Sequence, residues 1–323
     1  MSELIVYPNC SKGGVTTVIR GRAVSDATRR IDAVFFDDKG GAHAFEDLDN
    51  VRPLIVRRDR SASALAYMAS QFAYDRASVL SSPETVAHLA GKVPLLRYEF
   101  HSSDLDVIKK EINKLALESV DEIAAPTAYM AAQIKDMLPA AHRSKMMVVP
   151  NLIDTGAFTQ EGDAAFDMSA TAAPGAIPLV WVGRFDRGKG HRYFARLLGS
   201  LPEQYFGVVV VSLENDPERV TAFLSECAAM GVLDRVRIHL NLPQDELASL
   251  YRWARDRGGW AVSTSLLESF GYFVAEATAC GLRVAAFDLP VWVEHERQTL
   301  IQRVPTGSVR DLAATIRRDL PQA

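Results

Sequence analysis

Two glutamates separated by seven residues, Glu268 and Glu276, are the side chains of this sequence whose type and spacing point most clearly to chemistry. The apolar, β-prone run 260–262 precedes them, and a helix-forming run starts near Gly271 and closes on Gly281. A glycine there is typical of the residue that follows a helix end. The pair is therefore predicted to lie on a strand, a loop and a helix start.

Three backbone donors lie between these two carboxylates. The N–H groups of Ser269, Phe270 and Gly271 would point out of the helix N-terminus, where the helix dipole favours a phosphate. Glu276 would lie roughly 7–8 Å further along the helix. A nucleoside diphosphate sugar fits this layout, because a carboxylate can hold each hydroxyl-rich end and backbone donors can hold the diphosphate. The residues alone also allow a turn glutamate followed by a glutamate on the solvent face of the helix.

A pair of glycines near the N-terminus is a second candidate. The apolar strand 4–7 is predicted to end at Pro8, and Gly13 and Gly14 lead into the helical run 15–24. Glycine lets backbone N–H groups approach a ligand closely, so this pair is a candidate phosphate loop. The structural alternative is a tight turn that needs a positive φ angle.

Two cations follow another predicted strand, residues 177–182. Arg184 and Lys189 lie in the turn between Gly183 and Gly190. At the carboxyl end of a strand they could converge on a diphosphate, since the Arg fork binds two oxygens and Lys acts as a point charge. A charged surface turn is the alternative. The turn is not a P-loop, because the motif Gly-x4-Gly-Lys-Ser/Thr does not occur there.

His101 is predicted to be the last residue of the strand 93–101, just before an amphipathic helix over 105–119. Ligands of open parallel sheets bind at the carboxyl ends of the strands, so a histidine there is well placed for a site. The alternative is a histidine that caps the following helix.

These motifs together resemble the family-4 retaining glycosyltransferases of the GT-B fold. The match comprises Glu-x7-Glu with Ser-Phe-Gly after the first Glu and Glu-Ala-x-Ala-Cys-Gly around the second, Gly-Arg-x4-Lys-Gly from residue 183, and Pro-Asn-Leu-Ile-Asp-x3-Phe over 150–158. The resemblance implies an α/β protein with two doubly wound parallel-sheet, Rossmann-like domains that face each other across a cleft.

The order of elements agrees with that fold. Strands and helices alternate after residue 177, which predicts a parallel doubly wound sheet. Between 159 and 178 the composition shifts to Gly, Ala, Asp, Ser, Thr and Pro, as in a linker. The boundary is therefore predicted near residue 168, with an acceptor-side domain over 1–168 and a nucleotide-sugar-binding domain over 169–323.

The resemblance implies a retaining, metal-independent glycosyltransferase. Its donor would be a UDP- or GDP-linked nucleotide sugar, a co-substrate rather than a cofactor, and its acceptor is not identified. Arg184 and Lys189 would neutralise the leaving diphosphate, while Glu268 would bind the donor sugar and Glu276 the ribose. The implied catalytic residues are His101, Arg184, Lys189 and Glu268, the implied donor-binding residues are Gly13, Gly14, Ser269, Phe270, Gly271 and Glu276, and no metal ligand is implied.

Three departures from the family pattern leave alternatives open. Val-Trp-Val-Glu-His at 291–295 stands where a glycine-rich loop is usual, and the terminal helix 309–320 lacks the long tail of many relatives. Asn241 stands where a glycine is usual, although Asn tolerates a positive φ better than most residues. The alternatives are a nucleotide-sugar-binding GT-B protein without transfer activity, and a GT-B epimerase or phosphorylase. Nucleotide release measured with and without acceptors distinguishes them.

The composition is that of a soluble protein with two domains, at 323 residues, 48% apolar and 24% charged. The net charge of −4 gives no basic field for nucleic acid, and no apolar run of about 18 residues predicts a transmembrane segment. Three separated cysteines without C-x-x-C predict a cytoplasmic protein without disulfides or zinc. The arginine cluster 57–60 gives little support to peripheral membrane contact, because Asp59 interrupts it. The Asp-x-Asp pairs at Asp47 and Asp104 are interpreted as loop and helix-start residues.

Overall fold

The computed structural model describes residues 1–11, 13–166, 168, 175–211 and 218–318. Contacts between residues divide the chain into two compact units, Met1–Asp154 and Thr155–Ala323. The boundary predicted near residue 168 lies in a stretch, 167–174, of which the structure describes only Met168. No helix within the described ranges is both long and apolar enough to cross a membrane.

The first unit is built on a seven-stranded sheet. Its strands are β1 (Ser2–Cys10), β2 (Arg30–Asp38), β3 (Val51–Ile55), β4 (Arg76–Leu80), β5 (Leu96–Glu99), β6 (Glu122–Ala125) and β7 (Met146–Val148). Its described α-helices are α1 (Gly14–Ser25), α2 (Ser61–Gln71), α3 (Val86–Leu89), α4 (Leu105–Lys114) and α5 (Ala128–Met137). The strand order is β3-β2-β1-β4-β5-β6-β7, and neighbouring strands are parallel.

Each face of this sheet carries its own apolar core. Along β1, Leu4 and Val6 pack into one cluster with Tyr98, whereas Ile5 packs into another with Phe35. Successive side chains of a strand point to opposite faces, so a strand covered on both sides reads as a continuous apolar run. This is why the first strand was recognisable from its sequence.

Two predicted strand ends in the first unit are wrong. Pro8 does not end β1, because β4 pairs with it only as far as Val6 while β2 continues beyond, and a proline is tolerated where a strand lacks a partner on one side. β5 ends at Glu99 rather than at His101. The last register pair joins Glu99 to Ala124, and the chain then turns toward α4.

The second unit repeats the architecture with a six-stranded sheet. Its strands are β8 (Ile177–Gly183), β9 (Tyr205–Val211), β10 (Val236–Leu240), β11 (Trp260–Ser263), β12 (Val284–Phe287) and β13 (Ile301–Val304). Its described α-helices are α6 (His191–Ser200), α7 (Glu218–Ala229), α8 (Gln244–Asp256), α9 (Tyr272–Ala279) and α10 (Val309–Arg317). The order is β10-β9-β8-β11-β12-β13, again with parallel neighbours. Asn241, directly after β10, has the positive φ of 54° that its residue type allows.

The strand order reverses direction once in each sheet, between β1 and β4 in the first unit and between β8 and β11 in the second. Open α/β sheets bind ligands outside the carboxyl ends of their strands at such a switch point. In the second unit the two strands at this point are followed by the loops 183–190 and 264–271, which carry the two predicted motifs. The predicted fold class, two doubly wound parallel-sheet units, is confirmed.

Candidate active site

Hydrogen bonds join the two motif loops of the second unit. Thr264 Oγ1 accepts a hydrogen bond from Trp181 Nε1 at 3.0 Å and donates one to the carbonyl oxygen of Lys189 at 3.1 Å. The backbone N–H of Leu266 donates to the carbonyl oxygen of Gly188 at 2.7 Å. Buried polar groups paired in this way fix one arrangement of the chain, so the two loops form one surface at the switch point.

Glycines at the start of two helices allow close packing around these two loops. Gly190 (φ 64°) precedes α6, and Gly271 (φ 84°) precedes α9. A Cβ atom at Gly190 would collide with the carbonyl oxygen of Thr264, and one at Gly271 would collide with the ring of Trp292. Both positions therefore require glycine for its left-handed backbone and for its lack of a side chain.

Lys189 and Glu268 form an ion pair across the two loops. Lys189 Nζ lies 2.5 Å from Glu268 Oε1, and Ser265 Oγ donates to the same oxygen at 2.7 Å. The Lys189 side chain is 27% exposed and that of Glu268 11%, so both remain accessible while partly shielded from water. An ammonium has three donors, so Lys189 can keep Glu268 and still bind an anion.

Arg184 lies on the same loop but points further into solvent. Its side chain is 56% exposed, and its Nη2 lies 3.2 Å from Asp186 Oδ2. The other oxygen of Asp186 accepts a hydrogen bond from the backbone N–H of Lys189 at 2.9 Å. Asp186 thus shapes the loop that carries both cations. The sequence analysis missed it, although an Asp that accepts from a backbone N–H a few residues ahead is a common turn signal.

Glu276 is buried, so the prediction's alternative of a glutamate on the solvent face of the helix is wrong. It is the fifth residue of α9 and is 6% exposed. Burial raises its pKa to about 8, and the neighbouring Tyr251 hydroxyl on α8 lowers this pKa by a smaller amount. In the unliganded protein Glu276 is therefore largely protonated at neutral pH. Tyr251, fully buried, was not predicted as part of the site.

The end of α9 confirms the predicted helix stop at Gly281. Gly281 has φ 79°, its N–H donates to the carbonyl of Thr278, and the N–H of Leu282 donates to that of Ala277. These two bonds are the Schellman motif. The motif fixes the length of the short helix that carries Glu276.

The Glu276→Gln variant should gain stability relative to the natural protein as the pH rises. The pKa of Glu276 is about 4.5 in the unfolded chain and about 8 in the fold. The folded state therefore binds the extra proton, and the free energy of unfolding falls between these pH values. Glutamine does not titrate, so the difference in free energy of unfolding between the variant and the natural protein should change by on the order of 3–5 kcal/mol between pH 5 and pH 8. Denaturant unfolding at both pH values checks this.

The exposed Glu296 of the same unit provides the control. Glu296→Gln removes a carboxylate that lies in solvent, so it should change the free energy of unfolding by nearly the same amount at both pH values. If Glu276→Gln behaves in the same way, Glu276 is ionised in the fold at neutral pH.

The glycine pair of the first unit opens a helix. Gly13 is extended, with φ −89°, and precedes the 12-residue α1, whose first residue is Gly14. Neither glycine has a positive φ, so the alternative of a tight turn that needs one is wrong. Their position after β1, at the switch point of the first sheet, agrees with a phosphate loop. Lys12 lies outside the described residues.

His101 follows β5 and contacts a buried ion pair. Its Nε2 lies 3.2 Å from Glu99 Oε2, while Arg22 of α1 binds both oxygens of Glu99 at 3.0 and 2.6 Å. Burial would raise the pKa of Glu99, but Arg22 and His101 outweigh it and hold that pKa well below its usual value. Asp104, not His101, caps α4, because its side chain accepts from two backbone N–H groups there.

Arg22 and Glu99 were not predicted from the sequence. A signal for them exists, since each is a charged residue among apolar ones, Arg22 in the buried part of α1 and Glu99 in the buried strand β5. The site residues of the first unit, Gly13, Gly14 and His101, lie at the carboxyl edge of its sheet, after β1 and β5. Arg184, Lys189, Glu268, Ser269, Phe270, Gly271 and Glu276 belong to the second unit.

The Asp-x-Asp pairs have structural roles, as expected. Asp47 binds Arg20 through both carboxylate oxygens at 2.6 Å, and Asp104 is the α4 cap. Over the described ranges, no group of three or more His, Cys, Asp or Glu side chains is placed to hold a metal ion.

The two parallel-sheet units, with motif loops at the switch point of the second, define a protein of the GT-B class. Residues 177–320 match the family model described as "Glycosyl transferases group 1". Relatives named D-inositol 3-phosphate glycosyltransferase include one from Actinosynnema mirum, 30% identical over 213 residues, and one from Xylanimonas cellulosilytica, 31% identical over 177 residues. The predicted family resemblance is confirmed.

The matches differ in how much of each chain they cover. The Actinosynnema alignment covers 62% of this chain and 49% of the relative, and the Xylanimonas alignment covers 51% and 41%. The matched part of this chain thus spans about half or less of these relatives.

Solved structures match the whole chain. The Anabaena protein Alr3699/HepE in complex with UDP-glucose has a TM-score of 0.80 at 16% identity and covers 98% of this chain and 89% of its own. Sucrose-phosphate synthase from Thermosynechococcus elongatus has a TM-score of 0.73 at 18% identity, with the same coverage. At such identities the likeness shows the fold, and it confirms the predicted GT-B architecture.

Proposed function

We propose that this protein is a retaining, metal-independent glycosyltransferase that moves a sugar from a nucleoside diphosphate sugar to an acceptor. The observation that carries the proposal is the Lys189–Glu268 ion pair, which joins two motif loops at the switch point of the second sheet. The names of the relatives and the UDP-glucose bound by Alr3699/HepE support this class of reaction and a UDP- or GDP-linked donor.

The chain offers one binding group for each part of the donor. Glu268 accepts hydrogen bonds from the sugar hydroxyls, and Lys189 beside it meets the phosphate attached to the sugar. The backbone donors of 269–271 and the exposed Arg184 bind further phosphate oxygens. Glu276, inside α9, binds the ribose. Its carboxyl is buried, and the ribose hydroxyls supply it with hydrogen-bond partners.

The reaction replaces one bond to the anomeric carbon by another. The bond from that carbon to the phosphate oxygen breaks, negative charge develops on the diphosphate, and Lys189 and Arg184 stabilise this charge. The acceptor oxygen bonds to the same face of the carbon, and its proton passes to the departing diphosphate. The family resemblance assigns His101, which pairs with Glu99 in the first unit, to the donor sugar.

Cellular location is part of the same proposal. Cys10, Cys227 and Cys280 are buried and unpaired, which fits a protein of the reducing cytoplasm.

Turnover should survive strong chelation. The proposal assigns the charge of the leaving diphosphate to Lys189 and Arg184, which supply positive charge without a metal. Rates measured after treatment with EDTA and dialysis should equal the untreated rate. A loss of turnover that Mn²⁺ or Mg²⁺ restores would contradict metal independence.

A screen of nucleotide release tests the function itself. UDP- and GDP-linked sugars are incubated with the protein, with and without acceptors that include inositol 3-phosphate, and the free nucleotide and the sugar products are measured. Acceptor-dependent release of UDP or GDP, with an α-linked product from an α-linked donor, is expected. Binding without release would indicate a nucleotide-sugar-binding protein, and conversion into a different nucleotide sugar would indicate an epimerase.

A further inference from the structure

The segment that departs from the family pattern, Val291–His295, packs against the loop 264–271, which is called the donor loop below. Pro290–Glu294 forms a 3-10 helix between β12 and β13, and Val291, Trp292 and His295 are at most 5% exposed. Trp292 Nε1 donates a 2.8 Å hydrogen bond to the carbonyl oxygen of Phe287, the last residue of β12. The segment is therefore fixed to the end of a core strand.

Two aromatic side chains of this segment contact the donor loop directly. The Trp292 ring fills the space where Gly271 would carry a Cβ atom. The ring of His295 stacks on that of Phe270, with centroids 5.2 Å apart and planes 19° apart, and Trp292 packs edge-on against His295 at 5.4 Å. His295 Nε2 lies 2.7 Å from the carbonyl oxygen of Phe270.

This hydrogen bond fixes the orientation of one peptide group. A carbonyl oxygen only accepts, so His295 Nε2 must carry the proton. The peptide bond between Phe270 and Gly271 is trans, and in a trans peptide the C=O and the following N–H point in opposite directions. With the Phe270 carbonyl held toward the buried His295, the Gly271 N–H points away from His295.

We propose that His295 is a positioning residue, which holds the Phe270–Gly271 peptide so that its N–H binds the phosphate next to the donor sugar. This inference rests on the proposed function. The phosphate in question is the one attached to the sugar, because Ser269–Gly271 follows Glu268 directly and Glu268 is assigned to the sugar. His295 itself does not touch the donor. The Val291–His295 segment thus supports the loop 264–271 at a place where the family pattern has a glycine-rich loop.

His295→Phe and His295→Gln separate the hydrogen bond from the packing. Phe keeps the stacked ring but loses the donor, whereas Gln places an N–H near the position of Nε2. Calorimetric titrations with UDP, GDP, UMP and GMP measure the effect, since only the diphosphates carry the phosphate assigned to this loop. His295→Phe should weaken binding of the preferred diphosphate about tenfold and change monophosphate binding less than twofold. His295→Gln should restore most of the loss.

Two further variants complete the test. Val293, 51% exposed on the same segment, gives a control in Val293→Ala, which should bind like the natural protein. If His295→Phe does not fold, His295→Asn replaces it, because its shorter side chain cannot reach the Phe270 carbonyl and should show the same selective loss.

The outcomes distinguish this inference from the function on which it rests. Equal binding of the diphosphate by His295→Phe and the natural protein overturns the inference alone, as does an equal loss of diphosphate and monophosphate. Failure of His295→Gln to restore binding also overturns it. If the natural protein binds neither UDP nor GDP, the proposed function fails.

Discussion

Replacing Lys189 by methionine is expected to lower kcat/KM for the nucleotide sugar by on the order of 10²–10³-fold, equivalent to about 3–4 kcal/mol of transition-state stabilisation. The variant removes the cation that lies 2.5 Å from Glu268 and that the proposed function assigns to the leaving diphosphate. Methionine preserves most of the aliphatic side chain, so the fold should remain intact. Steady-state kinetics and thermal unfolding of the variant check both parts of the expectation.

Arg187, exposed on the same loop, provides the matched control. Arg187→Met removes an equal but solvent-exposed charge from the same loop and should change kcat/KM by less than about threefold. Arg184→Met should fall between the two, because its guanidinium is 56% exposed and already paired with Asp186. Equal rates for Lys189→Met and Arg187→Met would show that the diphosphate binds elsewhere.

Replacing Glu268 and replacing Glu276 by alanine are expected to impair different kinetic constants. Glu268 pairs with Lys189 and is proposed to bind the reacting sugar, so its loss should lower kcat by about 10²-fold or more while the free nucleoside diphosphate still binds. Glu276 is proposed to hold the ribose in the ground state and the transition state alike, so its loss should mainly raise the donor KM. Kinetics combined with calorimetric titration of the intact donor and of the free diphosphate measure this difference.

Burial makes one control necessary for Glu276. The residue is 6% exposed, and alanine would leave a cavity inside the second unit. Glu276→Gln keeps the volume and loses only the acid, so it should bind donor and free diphosphate more weakly without loss of stability at pH 8. The reverse pattern, with free diphosphate binding lost in Glu268→Ala and kept in Glu276→Ala, would mean that the two carboxylates hold opposite ends of the donor.

Local patterns in the sequence predicted most of the second unit, because its buried strands are continuous apolar runs. The end of α9 at Gly281 followed from the glycine itself. In the first unit, β4 was missed. β4 contains Arg76 and Ser78 within five residues, and its place beside β1 is set by pairing rather than by its own pattern.

The contacts of the candidate site could not be read from local patterns. Lys189 and Glu268 are 79 residues apart and meet only because β8 and β11 are neighbours in the sheet. The hydroxyl of Tyr251 on α8 lies beside the buried Glu276, and no short sequence pattern predicts that neighbour. The segment 291–295 could not be explained from the sequence, because its aromatic side chains pack against a loop that lies about twenty residues earlier in the chain.

The ion pair between Arg22 and Glu99 constrains how this protein can change over evolutionary time. Both side chains are nearly buried and bound through two hydrogen bonds. Losing either one alone strands the other charge in the interior, at a cost of about 3–5 kcal/mol, whereas replacing both by apolar residues of similar volume is close to neutral. We therefore expect the residues at positions 22 and 99 to change together: in descendants of this sequence the charged pair is either kept whole or lost whole.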